Sequence, residues 1–163
     1  MRTFHIRIAD NDLVFSAAHF ITLAPENCER LHGHNYRVAA EVEGPLDAQQ
    51  CVVDFIVLRE LLRSILAELD HRVLLATEHP TICVADAGGE IEVRFANRRW
   101  AFPRGDCALL PIANTTAELM AEYVAKQLRD ALKSRLKLRP KRLRVEVEEC
   151  FGLSAACELR SRA

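Results

Sequence analysis

The chain has 163 residues, half of them hydrophobic, and its 22 basic and 23 acidic side chains give a formal net charge of −1. The length and apolar content predict one domain with a sizeable core, and the balanced charge argues against a nucleic-acid partner. Six irregularly spaced cysteines imply no disulfide framework. Since no run is long enough to cross a bilayer and no secretory signal is recognisable, we expect a cytoplasmic protein without a membrane partner.

The N-terminal half carries strand signals followed by one amphipathic helix. Residues 3–8 and 13–20 flank a polar turn, a pattern that predicts a hairpin. A longer strand is expected from about 35 to 43. Asp54 is a suitable N-cap for a helix over roughly 55–69, where apolar residues recur at helical spacing.

The C-terminal half adds a second helix and a second strand pair. Residues 78–110 are rich in turn signals and predict a hairpin insertion in a single domain of residues 1–163. The threonines of segment 114–118 suit the start of a helix, and strands are expected over 143–149 and 154–159. This order predicts an α+β fold, in which an antiparallel four-stranded sheet carries two helices on one face.

Three histidines within sixteen residues predict a metal site. His32 and His34 point to one face of a strand, and His19 can join them from the neighbouring strand. Three imidazoles with a free fourth position are typical of catalytic zinc, whereas structural zinc is mostly held by thiolates. Isolated histidines such as His5 and His79 are better interpreted as ordinary structural residues.

Two further acidic positions lie in informative places. Asp70-His71 follows the first predicted helix and is either a catalytic pair or a helix end whose histidine favours the dipole. Glu149 shares a strand face with Val145 and Val147. The adjacent Glu148 would lie on that face only if the strand register shifted by one residue.

In combination these segments resemble the 6-pyruvoyltetrahydropterin synthase and 6-carboxytetrahydropterin synthase family. The resemblance rests on Phe15-Ser-Ala-Ala-His19, Cys28-x-x-x-His32-Gly-His34, Leu69-Asp70-His71, Asn114-Thr-Thr-Ala-Glu118 and Val145-x-Val147-x-Glu149. It implies the tunnelling fold, in which protomers join their sheets into a β-barrel, usually as a trimer stacked into a hexamer. A homo-oligomer of this kind would also cover exposed sheet edges.

The resemblance also implies the roles of the site residues. They are the zinc ligands His19, His32 and His34, the catalytic residues Cys28, Asp70 and His71, and the pterin-binding residues Glu149, Thr115, Thr116 and Glu118. Zinc would polarise the substrate's side-chain hydroxyls. Glu149 would accept two parallel hydrogen bonds from the pterin ring. A simple capping role is an equally good interpretation of Thr115.

The three residues between Cys28 and His32 are the spacing of bacterial 6-carboxytetrahydropterin synthases of queuosine biosynthesis. Such enzymes convert 7,8-dihydroneopterin triphosphate to 6-carboxytetrahydropterin, acetaldehyde and triphosphate. The chain departs from the family at the insertion over 78–110 and at Cys150, where threonine is common. The alternatives are a 6-pyruvoyl-forming enzyme, a relative of dihydroneopterin aldolase, and a non-catalytic zinc- or pterin-binding protein.

Overall fold

A curled mixed sheet and two helices form the computed structural model, which describes residues 2–24 and 26–161. The strands are β1 (Phe4–Ile8), β2 (Val14–His19), β3 (Thr22–Ala24), β4 (Asn27–Cys28), β5 (His32–Gly44), β6 (Arg72–Ala76), β7 (Cys83–Asp86), β8 (Glu90–Phe95), β9 (Arg98–Pro103), β10 (Cys107–Leu110), β11 (Arg142–Cys150) and β12 (Leu153–Arg160). The helices are α1 (Phe55–Ala67) and α2 (Ala117–Leu136). Among the described residues, no helix combines the length and apolar character that crossing a bilayer requires.

The main sheet has seven strands, in the order β10-β6-β2-β5-β11-β12, with β1 also paired to β5. The predicted count of four antiparallel strands was therefore too low. Two strands that the sequence pattern did not reveal, β6 and β10, pair in parallel with each other, and β6 also runs parallel to β2. Both are short and largely buried, and a short buried strand lacks the alternation that reveals a strand in the sequence.

The predicted hairpin between the first two strands is wrong. Both β1 and β2 pair with β5 instead, β1 along residues 40–44 and β2 along residues 32–37. Thirteen residues of β5 extend about 43 Å, which is long enough for two short strands to share one edge. The polar segment between β1 and β2 connects the two strands, which pair one after the other with the same edge of β5.

Both predicted helices are confirmed and cover the same face of the sheet. Asp54 caps α1, where its carboxylate accepts hydrogen bonds from Ile56 N at 2.7 Å and Val57 N at 3.2 Å. Thr116, not Thr115, caps α2 through a 3.4 Å bond from Leu119 N. The core between helices and sheet includes Leu58, Leu62, Met120, Leu128, Tyr36, Val38 and Val145.

The segment predicted as a hairpin insertion contains three antiparallel strands, β7, β8 and β9, which we call the inserted sheet. The third strand, β7, was not recognised because its side chains are mostly exposed and give no apolar pattern. After the inserted sheet the chain returns to the main sheet as β10. A second apolar cluster joins the inserted sheet to β6 and to the segment around Cys28.

Candidate metal centre and active site

Three histidines from two neighbouring strands converge on one face of the main sheet. His19 ends β2 and pairs with His32 across the β2–β5 ladder. His34 lies two residues further along β5, so its side chain points to the same face as that of His32. One ring nitrogen of each lies within 4.8 Å of the others. The structure thus brings together all three predicted metal ligands.

Hydrogen bonds fix the orientation of the imidazole rings. His19 Nδ1 lies 3.0 Å from the carbonyl oxygen of Thr115, and His32 Nδ1 lies 2.8 Å from that of Arg30. Because a carbonyl oxygen can only accept, both rings donate from Nδ1 and keep a lone pair on Nε2. A metal-binding histidine requires this tautomer when Nε2 is the ligand.

The atoms at the centre of the cluster fit a cation. His19 Nε2 is buried and has no hydrogen-bond donor or acceptor among residues 2–24 and 26–161. Glu149 Oε1 lies 3.2 Å from it and 3.7 Å from His34 Nε2. Burial lowers the pKa of His19 to about 4, so a neutral ring presents its lone pair to a carboxylate. A divalent metal held by three imidazoles would compensate this electron-rich arrangement.

Glu149 and Glu148 lie on opposite faces of β11. Glu149 borders the histidine cluster, on the face that the fully buried Val145 and Val147 share. Glu148 accepts a 2.8 Å hydrogen bond from Gly152 N in the turn between β11 and β12. The geometry therefore agrees with the register argument that favoured Glu149 as the inward-facing carboxylate.

Tyr36 belongs to the site, and the sequence analysis missed it. Its ring is fully buried, stacks on Phe15 at a centroid distance of 4.6 Å, and lies edge-on to His19 and His34. Burial raises the pKa of Tyr36 and the Glu149 carboxylate raises it further, so the phenol keeps its proton. The signal was present, because Tyr36 continues the period-2 series of the two β5 histidines.

Cys28 ends the short strand β4, which pairs with β3 at Thr22. Its thiol is buried and donates to the carbonyl oxygen of Glu29 at 3.5 Å. Burial is the main reason that the pKa of Cys28 is raised, so the sulfur holds its proton at neutral pH. Glu29, which the sequence analysis also missed, places Oε2 3.8 Å from His32 Nε2. A carboxylate therefore lies beside the histidine cluster, one residue after the thiol.

Asp70 and His71 form a hydrogen-bonded pair just after α1. Asp70 Oδ2 accepts from His71 Nδ1 at 2.9 Å, and Asp70 Oδ1 accepts from the Ser16 amide at 2.8 Å. The Ser16 amide is the main cause of the lowered pKa of Asp70. The carboxylate thus orients the imidazole of His71, whose side chain is 81% exposed. The backbone of His71 adopts a positive φ of 58°. This geometry suits proton transfer at Nε2 better than a simple helix end does.

His71 lines a cleft beside the first residues of β5. The cleft has a volume of about 470 Å³, and its wall includes His34 as well as Gly33 and Asn35. Gly33 and Asn35 alternate along β5 with the metal-binding histidines, so they face the opposite way. Among residues 2–24 and 26–161, no hydrogen bond or ion pair joins His71 to the three histidines of the cluster.

The structure also separates His71 from Cys28. The His71 amide bonds to Ser16 O, at the level of Ser16 on β2. Cys28 pairs with Thr22, beyond the end of that strand. The stretch of β2 from Ser16 to His19 alone spans about 10 Å. The three predicted catalytic residues are thus not brought together within a single protomer.

The three predicted pterin-binding residues near α2, which are Thr115, Thr116 and Glu118, differ from one another in burial and in hydrogen-bond partners. Thr115 is buried, donates to Phe20 O at 3.3 Å, and supplies the carbonyl oxygen that orients His19. Thr116 is the cap of α2, and Glu118 is exposed in the first turn of that helix. Thr115 therefore acts on the metal centre through His19.

The third histidine is oriented by a thiol instead of a carbonyl oxygen. Cys150 Sγ lies 3.2 Å from His34 Nδ1 and is the acceptor of its proton when Nε2 binds the metal. Replacing Cys150 with valine is expected to weaken zinc binding about 10- to 100-fold, the usual effect of losing such a partner. Cys150→Thr restores an oxygen acceptor and is expected to bind like the wild type.

Competition with a chromophoric chelator measures these zinc affinities. If Cys150→Val binds zinc as tightly as the wild type, the thiol does not orient His34.

Comparisons with known proteins agree with this geometry. The family model for 6-pyruvoyl tetrahydropterin synthase matches residues 10–160. A Methanocaldococcus jannaschii protein with the provisional name 6-carboxy-5,6,7,8-tetrahydropterin synthase is 32% identical over 123 residues, 75% of each chain. Dihydroneopterin monophosphate aldolase from Pyrococcus furiosus is 38% identical over 60 residues, 37% of this chain and 50% of its own.

Among solved structures, 6-pyruvoyl tetrahydropterin synthase from Plasmodium vivax superposes with a TM-score of 0.90 at 24% identity. The match covers 99% of this chain and 100% of the other. This likeness confirms the predicted tunnelling fold.

Proposed function

Since the chain belongs to the 6-pyruvoyl tetrahydropterin synthase family, we propose that it is a zinc-dependent 6-carboxy-5,6,7,8-tetrahydropterin synthase of queuosine biosynthesis. It would convert 7,8-dihydroneopterin triphosphate to 6-carboxytetrahydropterin, acetaldehyde and triphosphate. The main support is the three-imidazole cluster, in which carbonyl oxygens hold His19 and His32 in the tautomer that leaves Nε2 free and Cys150 Sγ lies 3.2 Å from His34 Nδ1. The provisional names of relatives such as the M. jannaschii protein support the reaction.

The residues around the cluster have complementary chemical roles. His19, His32 and His34 would hold Zn²⁺, which when bound acidifies the hydroxyls and adjacent carbon of the substrate side chain. Glu149, beside the cluster, would accept two hydrogen bonds from the pterin ring and so orient the substrate. The buried Cys28 thiol would exchange protons with the substrate side chain.

The separation of Cys28 from Asp70–His71 supports a site shared between two copies of the chain. Among the residues that the structure describes, the seven-stranded sheet ends at β10 and β12, and neither outer edge pairs with a further strand, so another protomer could pair there. Assembly into a β-barrel trimer or hexamer through such edges would bring the Asp70–His71 pair of one protomer to the Cys28 of its neighbour. Asp70 would orient His71, and His71 would pass the proton.

Mixing two inactive variants tests this shared site. Cys28→Ala and His71→Ala are each expected to be nearly inactive, whereas co-refolded mixed oligomers should recover about one quarter of wild-type activity by random pairing. The control is a mixture of Cys28→Ala with Cys28→Ala/His71→Ala, which offers no complete site. If mixed oligomers form but recover no more activity than this control, the shared site is contradicted.

A second candidate function is side-chain cleavage to a 6-hydroxymethyl pterin. The observation that favours it is the Glu29 carboxylate, 3.8 Å from His32 Nε2, which gives the site a second acid–base group. The similarity to dihydroneopterin monophosphate aldolase points the same way over 37% of the chain. The mass of the pterin product separates the two candidates.

A further inference from the structure

The inserted sheet packs against the segment that carries Cys28. The thiol lies in an apolar cluster formed by both parts of the protein: Phe20, Cys28, Leu75, Ile82, Ile91, Val93, Phe95 and Cys107. Ile91, Val93 and Phe95 come from β8 of the inserted sheet. The surroundings of Cys28 therefore depend on the insertion.

One side chain of the inserted sheet bonds directly to the backbone at Cys28. Arg98, the first residue of β9, donates from one terminal nitrogen to Cys28 O at 2.7 Å and from the other to Glu29 O at 3.1 Å. Two fork-like bonds to consecutive carbonyl oxygens fix the orientation of two peptide groups. A lysine cannot form this planar two-point contact.

Aromatic stacking holds the guanidinium of Arg98 in place. Its central carbon lies 4.5 Å from the ring centroid of Trp100, and Trp100 stacks on Phe20 with centroids 4.8 Å apart and an angle of 15°. Phe20 directly follows the metal-binding His19. A continuous series of contacts thus links the metal-binding strand, Arg98 and the cysteine.

The positive charge of Arg98 also lowers the pKa of the Cys28 thiol. Burial raises the pKa of Cys28 most, the Glu29 carboxylate adds to this, and the Arg98 guanidinium opposes it. Cys107, the other titratable group of the cluster, is a thiol whose pKa burial also raises, so it carries no charge at neutral pH. Arg98 therefore supplies both a fixed geometry and a favourable charge.

We propose that Arg98 is a positioning residue, which holds the turn at Cys28 through two backbone hydrogen bonds and fixes a positive charge beside it, and that this is how the inserted sheet serves the reaction. The inference rests on the proposed function for the role of Cys28 in turnover. The geometry and ionisation of the thiol themselves can be measured without any pterin.

Alkylation of the zinc-loaded protein by iodoacetamide, followed across pH, tests the proposal. Because the chain has six cysteines, the rate is read from the peptide that contains residue 28 by mass spectrometry. Arg98→Gln removes the positive charge and also the fork-like contact, because the shorter amide carries its donors on a single nitrogen. We expect its alkylation midpoint to rise by about one pH unit, which makes the rate at neutral pH about tenfold lower.

Two further variants separate charge from geometry. Arg98→Lys keeps the charge but loses the fork, so the midpoint should stay near that of the wild type while kcat falls about tenfold at unchanged KM. The matched control is Arg99→Gln, the next residue of β9, whose exposed side chain pairs with Glu92 away from Cys28. It should leave the midpoint and kcat unchanged.

The outcomes distinguish this inference from the proposed function. A wild-type alkylation midpoint in Arg98→Gln would overturn the role of Arg98, whatever the protein catalyses. A raised midpoint in a protein that never turns over a pterin would uphold the effect of Arg98 on the thiol and contradict the proposed reaction.

Discussion

Substitution of Cys28 by alanine is expected to lower kcat about 10³-fold and to leave zinc content unchanged. The magnitude follows from losing one positioned acid–base group, which contributes 10²- to 10⁴-fold. Zinc should remain because the three Nε2 atoms of the histidine cluster form the metal site without the thiol. Turnover of 7,8-dihydroneopterin triphosphate, zinc content and pterin binding are measured on the same preparation.

Cys83→Ala is the matched control for Cys28→Ala. Cys83 is an exposed thiol on β7, so its removal should change neither turnover nor zinc content. If Cys28→Ala loses zinc, the thiol is a metal ligand and the separation of roles is wrong. If it keeps full turnover, the thiol takes no part in catalysis.

Replacing His32 with alanine is expected to abolish stoichiometric zinc binding. Loss of a direct ligand should reduce affinity by more than the 10- to 100-fold that follows from losing a ligand's hydrogen-bond partner. His32 is the most suitable of the three ligands for this test, because its side chain is 39% exposed whereas His19 is buried. The fold should therefore survive the substitution.

Zinc content after dialysis and thermal unfolding of the metal-free forms are the two measurements for His32→Ala. His5→Ala is the control, since His5 is exposed on β1 and lies outside the histidine cluster. It should bind zinc like the wild type. Stoichiometric zinc in His32→Ala would contradict the assignment of the metal site.

Several features could be predicted because they depend on local rules. Alternation along a strand placed His32 and His34 on one face and Glu149 on the inward face of β11. The cap preference of aspartate located the start of α1 at Asp54. In each case the governing interaction involves residues that are close in sequence.

Other features depend on pairing between distant segments and left little signal in the sequence. The strands β6 and β10 join the sheet through parallel pairs whose short apolar runs do not alternate. Arg98 reaches the backbone of Cys28 across 70 residues of sequence, and Cys150 reaches His34 across 116. Side chains that meet in this way are recognisable only once the strand order is known.

The separation of Cys28 from His71 shows a further limit. The motifs occur in the expected order, but order along a chain does not require proximity within one protomer. His71 pairs through its amide with Ser16 on β2, whereas Cys28 pairs with Thr22 beyond the end of that strand. We propose that a second protomer brings His71 to Cys28 across a subunit interface.

The most direct test is the product formed by zinc-loaded protein from 7,8-dihydroneopterin triphosphate, with pterins identified by mass and acetaldehyde assayed in parallel. We expect 6-carboxytetrahydropterin and acetaldehyde in equal amounts, and no product from the zinc-free protein. A 6-pyruvoyl or 6-hydroxymethyl pterin without acetaldehyde, or no turnover by the zinc-loaded protein, would contradict the proposed reaction.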